Sequence, residues 1–467
     1  MADATIAPED LRLLLGPRTR RGIRAWLHDG IAAAVRDGRL SAGVRLPSSR
    51  AVAAGFGVAR GPVSEALELL TAEGYLITRE RSGSSVAPSA ASVRPARREA
   101  TVRPPPSPGT PDPALFPWSS WLRAMRSGSA RLGPDDLGYG DPRGLPALRE
   151  RVAELLRLTR GAVVEPDQVV IISGVAQGLT LLATVLRARG AGPIAVEDPG
   201  SPGARDSLCG IGATVVGVPT DELGIDIDRL ADEAGAVIVT PAHQYPLGVP
   251  LDPDRRRRLL DWAAGRLVIE DDYDADLRYD GRPIGVLQAM APDRVVLLGS
   301  VSKVLAPGMR LGWLIPPPHL HAELVAAKRN ADLGTSVFDQ AALAEFLGSG
   351  EYQRQVKRLR QVYGERRASL VAQLRERLAP DSFDPDPGGY QAGLHLLVPL
   401  PDATAEERAL AFLADRGIAA QGYRSCFFGT GDPGIILGIA RPIAPTLVSA
   451  LAAAVHGPTN PRVVRTE

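Results

Sequence analysis

Val295-Val296-Leu297-Leu298-Gly299-Ser300-Val301-Ser302-Lys303 decides how this chain folds. Four consecutive apolar residues predict a strand buried on both faces, as in a parallel sheet. Small residues follow, and then a lysine. The 467 residues hold only three lysines, Lys303, Lys328 and Lys357, and arginine carries the remaining basic charge. Lys328 and Lys357 fall in Ala/Leu-rich and Arg-rich helical patterns, which predicts solvated helix faces. Lys303 instead lies just past a buried strand, where burial lowers an amine's pKa and favours nucleophilic chemistry.

The same design extends to both sides. Further strands are expected at 169–172, 194–197, 214–218, 237–240 and 267–270, with amphipathic stretches between several of them. This pattern predicts an α/β body with a mostly parallel central sheet covered on both faces. Beyond Arg354 a long charged helix is expected. Strands near 393–398 and 435–439, with a helix between them, then form a small C-terminal α+β subdomain. Ligands of such sheets gather at the carboxyl ends of the strands.

Two other strand ends carry unusual residues. Strand 169–172 runs into Ser173-Gly174-Val175-Ala176-Gln177-Gly178, a strand-to-helix turn whose free N–H groups and dipole suit a phosphate. Arg310 can add a guanidinium there. Strand 267–270 runs into Asp271-Asp272-Tyr273-Asp274, a carboxylate cluster that requires a nearby cation. A metal is one reading, but no His or Cys adjoins the cluster in sequence, which argues against a metal-dependent hydrolase. A protonated heterocycle is the other. Phosphate seat, carboxylate and lysine together are what pyridoxal 5'-phosphate requires: a Schiff base to the amine, and a charge that keeps the ring nitrogen protonated.

The N-terminal region has a different character. The first 103 residues hold 16 basic and 10 acidic side chains, a net charge of +6, against −5 for the rest. Nucleic acid is the partner this asymmetry suggests. Residues 1–88 read as three helices and a two-strand wing. The apolar stripe Ile23, Trp26, Leu27, Ile31 and Val35 marks the first helix, a serine N-cap after Pro47 the second, and Pro62 the start of the third. Pro-, Ala- and Arg-rich residues 89–117 read as a linker, 118–355 as the large domain and 356–467 as the small subdomain. Composition is that of an ordinary globular protein. Two cysteines, Cys209 and Cys426, exclude a disulfide scaffold and suggest a reducing cytoplasm. Neither a secretory leader nor a membrane span is evident.

Dense motifs carry a family resemblance. In the body they are Tyr139-Gly140-Asp141-Pro142-Arg143-Gly144, Glu197-Asp198-Pro199-Gly200, Pro241-Ala242-His243-Gln244-Tyr245-Pro246-Leu247-Gly248, Glu270-Asp271-Asp272-Tyr273-Asp274 and Ser300-Val301-Ser302-Lys303 through Arg310-Leu311-Gly312. In the head they are Arg45-Leu46-Pro47-Ser48-Ser49-Arg50 and Glu73-Gly74-Tyr75-Leu76. The body resembles the fold type I aminotransferases. From about residue 20 to 440 the chain resembles the MocR subfamily of GntR-type transcription regulators, a winged helix-turn-helix fused to an aminotransferase-like domain.

The resemblance implies pyridoxal phosphate on Lys303, Asp271 at the ring nitrogen and Tyr273 at the ring hydroxyl oxygen. It puts Val175, Ala176, Ser300 and Arg310 at the phosphate. Tyr245 either approaches the ring hydroxyl or packs. Arg50, Arg60, Ser64 and the wing-tip Gly83 would meet DNA. Ser201 stands where relatives usually stack an aromatic on the ring. Arg424 and Arg441 are candidates for a ligand carboxylate, although a structural role suits each better. The implied function is a cytoplasmic, homodimeric regulator that senses pyridoxal phosphate, an amino compound, or both. The alternative is an active aminotransferase with an appended DNA-binding domain. The head discriminates, because plain aminotransferases lack it.

Overall fold

The computed structural model describes residues 5–18, 22–79, 83–88, 107–281, 284–377 and 391–456. Two compact units emerge, residues 1–104 and 105–467.

The first unit packs helices Pro8–Leu15, Ile23–Arg36, Ser49–Phe56 and Arg60–Ala72 with strands β1 (Leu76–Arg79) and β2 (Gly83–Val86). Helix Pro8–Leu15 was not expected. It contributes Leu11 to a core with Trp26, Leu27, Ile31, Val35, Val63 and Leu70. The Ser48 side chain accepts from Ala51 N at 3.2 Å and caps helix Ser49–Phe56, as the sequence suggests. Strands β1 and β2 pair antiparallel, with Arg79 opposite Gly83. Residues 80–82 of the wing and 89–106 of the expected linker lie outside the described residues.

The second unit contains β3 (Val170–Ile172), β4 (Ile194–Asp198), β5 (Val215–Asp221), β6 (Gly224–Ile225), β7 (Ala236–Val239), β8 (Leu267–Asp272), β9 (Val295–Ser300) and β10 (Gly312–Ile315). They form one sheet in the order β3-β10-β9-β8-β7-β4-β5-β6. The run from β9 through β8, β7 and β4 to β5 is parallel. Strand β10 is antiparallel to both neighbours, so β3 points the same way as β9. The sequence reading missed β10 because Gly312-Trp313-Leu314-Ile315 is a short apolar run stopped by proline, with no period to betray it.

Both faces are covered. Along β8, Leu267 and Ile269 enter one core and Val268 another. Strand β9 alternates likewise, with Val296 and Leu298 facing helices Val175–Ala188 and Pro318–Asp332. The carboxyl ends of β3, β4, β7, β8 and β9 therefore share one edge. Helix Glu351–Arg377 leads to the small sheet of β11 (His395–Pro399), β12 (Ala420–Gly422) and β13 (Gly434–Gly438), ordered β11-β13-β12 and backed by helix Ala403–Ala414.

Two sequence expectations change. Residues 107–117, read as linker, pack into the second unit. Asp112 N donates to the Tyr363 hydroxyl at 3.1 Å, Gln355 donates to Leu115 O at 2.9 Å, and Asp112 pairs with Arg366 at 3.0 Å. A proline-rich segment can be buried when its backbone groups find partners. Lys328, expected on a solvated face, is buried. It continues the inward stripe of Leu320 and Leu324, and its Nζ lies 2.7 Å from both oxygens of Asp332, one turn on.

Candidate functional site

The carboxyl edge of the large sheet opens into a cavity of about 670 Å³. Its lining includes Val175, Ala176, Ser201, Tyr245, Asp271, Tyr273, Ser300, Lys303 and Arg310. Every residue that the resemblance implies at the cofactor thus lies in one place, whereas the two arginines considered for a ligand carboxylate do not.

Lys303 follows β9 and is drawn back across the cavity. Its Nζ donates to the carbonyl of Gly109 at 2.8 Å and lies 5.9 Å from the Tyr273 ring centre. Burial pushes the amine pKa down, while Asp274 and Asp271 oppose that shift. Burial therefore makes this amine easier to deprotonate than an exposed lysine.

The aspartate doublet at the end of β8 resolves into two roles. Asp272 is bound by Arg160, Nε to Oδ2 at 2.9 Å and Nη2 to Oδ1 at 2.8 Å, a bidentate and nearly buried pair. Asp271 lines the cavity, and its Oδ1 is buried without a hydrogen-bond partner among the described residues. Burial pushes its pKa up to about 7, with Asp272 adding and Lys303 opposing. A buried acceptor left unsatisfied costs about 1–3 kcal/mol, so this atom calls for a donor from a ligand.

The turn expected to suit a phosphate forms the junction of β3 and helix Val175–Ala188. Gly174 caps that helix at φ +86°, and a Cβ there would stand 3.0–3.1 Å from the Arg310 guanidinium. Arg310 is one of two described non-glycine residues with positive φ, at +50°, and it donates to Ser173 O. Strained backbone at a ligand clamp is a recurring pattern. The Gln177 side chain accepts from Ser173 N at 2.7 Å and donates to Asp332 at 2.7 Å, which ties the turn to buried Lys328. Val175, Ala176, Ser300 and Arg310 all line the cavity, and a helix start with a guanidinium beside it suits an anion.

Other residues divide differently. Tyr245 donates its hydroxyl to Gln421 at 3.0 Å, whereas the Tyr273 hydroxyl lies 3.0 Å from His243 Nδ1. Ser201 caps helix Pro202–Gly210 and lines the cavity. Neither Arg424 nor Arg441 is among the lining residues. Arg424 pairs with Glu406 and Glu407, and Arg441 is exposed. Sequence reasoning missed His243 and His395, and it set aside histidine beside the carboxylates. The fold corrects that: His243 Nδ1 lies 2.9 Å from Asp274 Oδ2, and His243, Asp274 and His395 present ligand atoms within 4.8 Å. The three come from separate loops and strands, so no local spacing announces them.

In the head, helix Arg60–Ala72 presents exposed Arg60 and half-buried Ser64, and Arg50 is exposed on the preceding helix. Arg60 Nε donates to Ser49 Oγ at 3.3 Å, which joins the two helices of the turn. Gly83, at φ +78°, begins the second wing strand. Among the described residues no helix is long and apolar enough to cross a membrane.

Comparison with known proteins agrees with both units. Residues 110–432 match aminotransferase class I and II, and residues 27–86 match the gntR family of bacterial regulatory proteins. The chain is 37% identical over 456 residues to the HTH-type pyridoxine biosynthesis transcriptional regulator PdxR of Corynebacterium glutamicum, covering 95% of this chain and 97% of that one. It is 33% identical to the probable rhizopine catabolism regulatory protein MocR of Rhizobium meliloti, over 76% of this chain and 77% of that one. Among solved structures, the Pyrococcus horikoshii kynurenine aminotransferase superposes with a TM-score of 0.67 at 25% identity, covering 75% of this chain and 90% of that one. LysN, the α-aminoadipate aminotransferase of Thermus thermophilus, gives 0.65 at 26% identity, covering 75% and 91%. The chain belongs to the MocR subfamily of GntR-type transcription regulators, with a gntR-family head and a body of the class I and II aminotransferase family.

Proposed function

We propose that this regulator binds pyridoxal 5'-phosphate at Lys303 and reports it, alone or with an amino compound, to the DNA-binding head. One observation carries the reading: Asp271 Oδ1, with no hydrogen-bond partner among the described residues, shares a cavity with half-buried Lys303 and the start of helix Val175–Ala188. When bound, the cofactor supplies an aldehyde that captures amines and a ring that withdraws electrons. Lys303 would hold it through Nζ, and Asp271 would accept the ring N–H. Tyr273 would donate to the ring hydroxyl oxygen, and Val175 N, Ala176 N, Ser300 and Arg310 would bind the phosphate. The C. glutamicum relative is named for pyridoxine biosynthesis, which makes genes of that pathway the first candidates for the operator. A homodimer is the expected binding form.

A second reading, an active aminotransferase, is favoured by the same complete set of Lys303, Asp271 and Tyr273. Multiple turnovers with an amino acid and a 2-oxo acid at enzyme-like rates would establish it; slow or single turnover fits the sensor.

The site itself is tested by borohydride reduction of the pyridoxal phosphate complex and peptide mapping. The reduced adduct is expected on Lys303 and should vanish in Lys303→Ala. An adduct on Lys328 or Lys357 would overturn the assignment.

A further inference from the structure

Beside Tyr273 lies a buried polar group that the proposed cofactor contacts leave unused. His243 Nδ1 sits between Asp274 Oδ2 at 2.9 Å and the Tyr273 hydroxyl at 3.0 Å, and the His243 and Asp274 side chains are 3% and 2% exposed. The ring is held from the small subdomain as well. Gly393, at φ +72°, approaches so closely that a Cβ would lie 2.1 Å from His243 Cε1, and the His395 ring centre lies 5.1 Å from that of His243. His395 Nε2 is buried without a hydrogen-bond partner among the described residues.

A carboxylate only accepts hydrogen bonds, so beside Asp274 the hydrogen of His243 belongs on Nδ1. In that tautomer Nδ1 has no lone pair for the Tyr273 proton. Asp274 is the competing acceptor for that proton: burial first, and then the nearby Asp274 and Tyr245, hold Tyr273 as a neutral phenol. Both groups reach Asp274, and the His243 N–H competes with the Tyr273 hydroxyl for it, which favours a phenol proton turned to the cavity. We infer that His243, oriented by Asp274 and pressed into place by Gly393, is a positioning residue that directs the Tyr273 hydroxyl toward the bound cofactor. This rests on the cofactor assignment above. The groups facing His243 are Tyr273, Asp274 and His395. Burial, reinforced by His243, keeps the His395 imidazole far below its ordinary range, and therefore neutral.

A hydrogen bond from Tyr273 to the ring oxygen stabilises its negative charge and lowers the proton affinity of the nitrogen linked to Lys303. The readout is the pH midpoint of the visible absorbance of full-length protein loaded with pyridoxal phosphate. His243→Phe keeps a ring but no N–H, so Asp274 captures the Tyr273 proton. The midpoint should rise by about one pH unit, roughly tenfold in proton affinity, the scale of one hydrogen bond to a charged acceptor. His243→Asn places an amide N–H near the Nδ1 position and should keep the wild-type midpoint. A packing role predicts the opposite order. Should His243→Phe fail to fold, His243→Leu carries the same expectation. In a Tyr273→Phe background, His243→Phe should add no further shift. An unmoved midpoint in the Phe and Leu variants, or a shift in Asn alone, overturns the inference. If the wild type forms no reducible Lys303 adduct, the cofactor assignment fails instead, and the two failures are told apart before any variant is made.

Discussion

Asp271 and Asp272 are adjacent and chemically identical, yet the fold gives them opposite tasks. Asp272 neutralises Arg160 in a buried pair, so Asp272→Ala should destabilise the protein by about 3–5 kcal/mol, the cost of stranding a buried charge. Denaturant melts measure it. Asp271→Asn should leave that pair intact and weaken cofactor binding. The cofactor-free protein should also respond to pH at Asp271. Its carboxyl is raised to about 7 in the fold against an ordinary value of 3.8. The stability contributed by the neutral form is complete below the ordinary value and is lost as pH rises through about 7. Without cofactor, Asp271→Asn should therefore melt a few degrees higher than wild type at pH 8, and the gap should close as pH falls toward 4. Reversed roles for the two aspartates would show up as a cofactor defect in Asp272→Asn alone.

At the scale of elements, the junction of β3 and helix Val175–Ala188 combines a glycine at positive φ with a guanidinium packed on its missing side chain. Gly174→Ala should cost about 1–3 kcal/mol in backbone strain and displace Arg310. Phosphate affinity should fall roughly tenfold or more, as read by cofactor titration; an unchanged affinity would remove Arg310 from the anion site. This junction was legible in the sequence because a strand running into Ser-Gly and then a helix is a local pattern. So were the carboxylate cluster, the lysine and the parallel strands, since each is a short run with a plain period or a sharp change of composition. What stayed hidden is non-local. Lys328 looks like surface until Leu320 and Leu324 show which face of its helix is inward. His243 and His395 sit more than a hundred residues apart, and only tertiary packing joins them. Residues 107–117 have the composition of a linker, and their burial depends on Tyr363, Gln355 and Arg366 far along the chain.

For the whole molecule, the sensor proposal requires that ligand at Lys303 change the affinity of the head for DNA. A ligand can do so only by favouring one of two body states. The contact between Lys303 Nζ and Gly109 O offers a physical difference. Capture of the amine removes a donor from the segment that follows the linker. DNA binding should fall steeply with salt, because arginine–phosphate contacts dominate it, and so all comparisons belong at one salt concentration. The most direct measurement is a titration of operator DNA with full-length wild type and Lys303→Ala, each with and without pyridoxal phosphate and a panel of amines. Wild-type affinity should shift by about 5–150-fold, the usual range of coupling. Lys303→Ala should keep basal binding and lose the part of the response that depends on the amine. Wild-type affinity unmoved by the cofactor and by every amine would contradict sensing and favour the aminotransferase reading.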